Sequence, residues 1–98
     1  MKHAGRATLE LLEPFLAELR RRHPQLREKS KGSFYVKSKG YLHFHEDPAG
    51  IFADAKLDLV EFTRYRATTE KEQQALLARI DRSLSKMAPP RTTSKQRA

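Results

Sequence analysis

The sequence predicts an α+β fold, a two-layer sandwich in which an antiparallel meander of three to four strands carries N- and C-terminal helices on one face. Two runs of alternating residues between Phe34 and Leu57 are punctuated by Lys39-Gly40 and by Asp47-Pro48-Ala49-Gly50, the signature of antiparallel strands joined by tight turns. A stripe of apolar residues at helical spacing precedes this region and another follows it. Each helix can bury one stripe only, so the economical packing lays both on the apolar face of the sheet and leaves the other face open.

Met1 to Ala7 reads as a disordered start, 8–87 as one domain, and 88–98 as a disordered basic tail. Thr8 is a candidate N-cap ahead of LELLEPFLAELRRR, in which Leu9, Leu12, Phe15, Leu16 and Leu19 share one stripe. Pro14 either kinks a single helix on its solvent side or occupies the first turn of a helix beginning near Glu13; the single kinked helix is preferred. Pro24 ends the helix, and QLREKSK is a polar connector.

A turn at Ser38-Lys39-Gly40 pairs Lys37 with Tyr41, Val36 with Leu42, Tyr35 with His43 and Phe34 with Phe44. Phe34, Val36, Leu42 and Phe44 then face the core. A second turn at Pro48-Ala49 sets Phe44 against Ala53, Leu42 against Ala55 and His43 against Asp54. A one-residue slip would bury Asp54, and that cost selects this register. VEFTRYRA is a weaker fourth strand with Val60 and Phe62 inward. Thr69 and Glu72 form a capping box for a last helix whose Leu76, Leu77, Ile80, Leu84 and Met87 share one side, stopped by Ala88-Pro89-Pro90.

Hydrophobic residues make up 38% of the chain and aromatics 8%, so only a modest core is available, while a net charge of +8 raises nucleic acid as a partner. The excess is unevenly placed. Met1 to Gly32 carries eight Lys/Arg against four Glu, whereas Ser33 to Ala67 carries five of each sign. The absence of cysteine excludes disulfides and thiolate chemistry. No apolar run reaches the ~20 residues that span a bilayer, and the expected setting is cytoplasmic with no membrane partner.

The order of a helix, a Phe-Tyr hairpin, the segment LHFHEDPAGIFAD and a terminal ALLARIDRSL helix resembles small uncharacterised bacterial α/β domains, including those loosely labelled luciferase-like. The resemblance covers roughly Leu26 to Leu84. It implies a small α/β module and carries over no catalytic residue.

On the open face the alternation places Tyr35, Lys37, Tyr41, His43, His45, Phe52, Asp54 and Lys56. An exposed surface with several aromatics invites a protein partner or a second copy, and a non-enzymatic binding or adaptor domain is the leading expectation. The second is a metal site on His43, His45 and Asp54, where two imidazoles and a carboxylate suit zinc or iron, serving a small enzyme or sensor. For that trio a plain His43–Asp54 hydrogen bond without metal is expected first. The third is non-specific nucleic-acid binding by the basic run Arg20, Arg21, Arg22, Arg27, Lys29 and Lys31. Glu46 and Asp47 read as turn residues rather than an acid pair. No serine has a nucleophile context, and no glycine-rich phosphate loop is present.

Overall fold

The computed structural model describes residues 1–87. In chain order these form β1 (Lys2–His3), α1 (Arg6–Leu11), α2 (Glu13–Arg22), β2 (Arg27–Ser30), β3 (Ser33–Val36), β4 (Lys39–Asp47), β5 (Gly50–Ala55), β6 (Thr63–Arg66) and α3 (Glu70–Met87). The tail expected over 88–98 lies outside the described residues.

The two-layer α+β architecture is present, with an antiparallel sheet ordered β2-β3-β4-β5-β6. Nine-residue β4 is the longest strand. One of its edges is filled by β5; the other is shared, β3 taking Lys39, Gly40 and Leu42 while β1 takes His45 and Glu46. A disordered start was expected where β1 forms. A polar connector was expected where β2 forms, because REKS carries no apolar alternation to betray a strand.

One core receives both helical stripes. Leu12, Phe15, Leu16 and Leu19 from the first pair of helices, and Leu76, Leu77, Ile80 and Leu84 from α3, are buried with Phe34, Leu42, Phe44, Ala53 and Ala55. Phe15 meets Phe44 edge to face at 6.0 Å. Truncating such a leucine costs about 2–5 kcal/mol, so this stripe holds the layers together. The preferred single kinked helix is replaced by the alternative. Leu12 joins two helices, and Pro14 stands in the first turn of α2, where its missing N–H leaves no bond unmade. The capping box is formed, with Glu72 N–H donating to Thr69 Oγ1 at 3.1 Å and Thr69 N–H to Glu72 Oε1 at 3.0 Å.

The register of β4 against β5 is the expected one, including Phe44 with Ala53 and His43 with Asp54. The register of β3 against β4 is not. The turn residues are Lys37 and Ser38, both at positive φ (51° and 72°), which gives the primed geometry that matches strand twist. Val36 therefore pairs with Lys39, Tyr35 with Gly40 and Phe34 with Leu42, leaving Tyr41 as an unpaired extra residue. A β-bulge of this kind turns two consecutive side chains to one side. Tyr41 and Leu42 are both fully buried, and the Tyr41 hydroxyl donates to Ser83 Oγ at 2.8 Å, which in turn donates to the Leu57 carbonyl at 2.6 Å. Tyr41 thus leaves the expected open face for the core, and Lys37 leaves it for the turn. Val60 is 71% exposed and Phe62 42% exposed, so the inward placement of both is also corrected.

Replacing Lys37-Ser38 by Asn-Gly, residues that tolerate positive φ, should raise stability by about 1 kcal/mol in denaturant unfolding. A loss instead would move the turn back to Ser38-Lys39-Gly40.

Glu28 ties β2 to the helical layer. Its carboxylate accepts two hydrogen bonds from Arg20, at 2.6 and 3.0 Å, and one from the Gly32 N–H at 2.9 Å. Arg20 first, then Gly32, hold the Glu28 pKa below its ordinary 4.5. A depressed carboxylate stabilises fully above the unfolded value and loses that contribution as the pH falls through the folded value. Glu28→Gln should cost about 1–2 kcal/mol at pH 7. Its stability curve should fall less steeply than the parent's below pH 4.5; parallel curves would mean that Glu28 carries no such linkage.

Candidate metal centre

Alternation along Leu42-His43-Phe44-His45 sends the leucine and phenylalanine into the core and both imidazoles to the opposite face. Their rings meet edge to face at 5.1 Å. A third imidazole joins them. β1 pairs His3 directly with His45, and the His3 ring lies 4.7 Å from that of His45 and 6.2 Å from that of His43. One ligand nitrogen from each of His3, His43 and His45 lies within 4.8 Å of the other two.

His3 is exposed, while His43 and His45 are half-buried. Phe62 packs edge-on against His43 at 4.9 Å. Gly40 lies against it, where a Cβ would sit in ordinary contact at 3.5 Å from the Phe62 ring. Beside the cluster is a hollow of about 230 Å³ lined by His3, Ser33, Tyr35, Gly40 and His43.

Asp54 sits under His45. Its Oδ2 is 3.3 Å from His45 Nδ1, and the two side chains keep only 13% and 12% of their surface. Arg64 grips the same carboxylate with two hydrogen bonds of 2.8 Å. That grip holds the Asp54 pKa below the usual carboxylate range against the opposing effect of burial. The carboxylate expected to bond His43 is thus held by Arg64 and approaches His45. Nδ1 of both His43 and His45 is buried without a hydrogen-bond partner among the described residues.

Burial, only partly offset by Asp54, pushes the pKa of His43 and of His45 below the ordinary 6.5. Both imidazoles are therefore neutral at pH 7, the form that ligates a metal. Three imidazoles suit zinc and its first-row neighbours. Metal–nitrogen bonds of ~2.0–2.1 Å in tetrahedral geometry set nitrogens about 3.3 Å apart, against a present spacing of up to 4.8 Å. A carboxylate behind a ligating imidazole is the usual outer partner of such sites; Asp54 Oδ2 lies 3.3 Å from His45 Nδ1 without forming a hydrogen bond to it.

The remaining expected residues divide between faces. Tyr35, Phe52 and Lys56 stand on the open face, with Lys56 above the Phe62 ring at 4.7 Å and Arg66 above Phe52 at 5.1 Å. Of the basic run, Arg20 pairs with Glu13 and Glu28, Arg21 with Glu18, Arg22 with Glu18 and Asp81, and Lys31 with Glu13. Arg27 lies opposite Tyr35, and Lys29 stands over the Tyr35 ring at 4.4 Å. His3 and Arg64 are not singled out from sequence, and Phe62 is expected inward rather than at the cluster. Arg64 had a readable signal, since its place in the alternation of FTRYR sets it across from Asp54. Among the described residues no helix is long and apolar enough to cross a membrane. No protein-family model matches this chain, and no curated protein or solved structure does so either.

Proposed function

We propose that this chain is a metal-binding domain whose open sheet face holds a divalent ion of the zinc class on His3, His43 and His45. The observation that carries the reading is the convergence of three imidazole nitrogens within 4.8 Å from two strands far apart in sequence. Asp54 serves behind His45 as an orienting carboxylate, and Arg64 keeps it charged and in place. Three protein ligands leave a tetrahedral ion one position for water or an exogenous ligand, the arrangement of reactive rather than purely structural sites.

This reading ranks above docking of a protein partner or a second copy. The apolar area behind that expectation shrinks with Tyr41 in the core and with Tyr35, Phe52 and Phe62 each capped by a cation.

Untagged protein should bind one equivalent of Zn²⁺ in calorimetry and give a tetrahedral Co²⁺ visible spectrum. His3→Ala and His43→Ala should each weaken binding by roughly 100-fold or more while the fold persists in circular dichroism, because each removes one of three ligands. Wild-type affinity in both folded variants would remove the site.

A further inference from the structure

The sheet segment is neutral when counted along the chain, but its two faces are not. Glu28 points into the helical layer toward Arg20, Glu46 accepts the Gly5 N–H at the β1 edge, Asp47 accepts the Ala49 N–H in its turn, and Asp58 accepts the N–H groups of Val60 and Glu61. Asp54 stands on the open face, where Arg64 neutralises it, and Glu61 is exposed in the loop beside Phe62. Opposite sign is abundant there. Arg27, Lys29, Lys56, Arg64 and Arg66 all stand on that face. Arg66 is paired with Glu72, whereas Arg27, Lys29 and Lys56 form no ion pair among the described residues.

These cations are interleaved with aromatic rings. Lys29 covers Tyr35, Lys56 covers Phe62 and Arg66 covers Phe52, so three ring faces lie in a field of positive charge across β3, β4 and β5. A ring that holds an ammonium above its face also offers that face to a base, and the displaced ammonium is then free to meet a phosphate. An acidic peptide would use the charges and leave the rings idle. A duplex keeps its bases stacked internally, out of reach of rings that stand in a sheet surface. We infer that the open sheet face binds single-stranded nucleic acid without sequence preference, with Tyr35, Phe62 and Phe52 as stacking platforms and Arg27, Lys29 and Lys56 as phosphate contacts. This inference does not rest on the metal reading.

Fluorescence anisotropy of the full chain with a labelled oligothymidylate of about 12 nucleotides, a length spanned by single-strand sites, tests it. The single strand should bind more tightly than a duplex of equal length. Three phosphate contacts give a salt slope of roughly −2, so affinity should drop roughly 20-fold between 50 and 200 mM salt. Phe62→Leu keeps the bulk but removes the ring, and should weaken binding roughly tenfold or more, as should Tyr35→Leu. Lys29→Glu, at an exposed position, keeps the test informative should a ring variant unfold, and should also weaken binding. Running every oligonucleotide titration in EDTA tells loss of the metal apart from loss of the strand. Equal affinity for duplex, wild-type affinity in folded Phe62→Leu and Lys29→Glu, or equally strong competition by polyglutamate would each overturn the inference.

Discussion

The two-residue period of β4 is the constraint on which the remaining structure depends. In the middle of the sheet it separates Leu42 and Phe44, which anchor the helical layer, from His43 and His45, which face away from it. Shifting that strand by a single position would drive two imidazoles into the apolar layer and strip the helices of their contacts. The cost of burying unpaired imidazoles thus protects the fold and the cluster together. The Tyr41 bulge lies just before this segment and alters the phase upstream while leaving the histidines where alternation puts them.

The parts of the molecule that are legible in the sequence are those where local chemistry and burial agree. Thr69 and Glu72 mark the start of α3, the Asp-Pro turn fixes β4 against β5, and the leucine stripes assign both helices to one layer. The illegible parts have a common physical origin. β1 and β2 are short strands paired through the backbone to a neighbour, and backbone bonds leave no apolar side-chain pattern. The Lys37-Ser38 turn lacks the Asn-Gly chemistry its geometry favours, so Gly40 drew the turn toward itself. That glycine serves instead as the floor beneath Phe62. The candidate site was legible to the same extent: His43, His45 and Asp54 share a face as expected, but His3 had no readable neighbour until β1 docked.

Electrostatic character likewise emerges only in three dimensions. The run Arg20 to Arg22 is dense in sequence yet largely satisfied by Glu13, Glu18, Glu28 and Asp81. The sheet segment, balanced on paper, keeps Asp54 on the open face only under neutralisation by Arg64. Partitioning of charge between faces, rather than total charge, gives the surface its field.

The brevity of β1 has a topological consequence. His3 and His43 are 40 residues apart in a chain without cysteine, and among the described residues β1 is held to the second half of β4 by two strand pairs, Lys2 with Glu46 and His3 with His45, with the Ala4 N–H donating to the Phe44 carbonyl beside them. An ion gripped from both sides would act as a cross-link, closing a loop whose chain entropy in the disordered ensemble is worth about 4 kcal/mol in the simplest treatment. Such a staple does the work that a disulfide does elsewhere, and it can be withdrawn by a chelator without breaking a covalent bond.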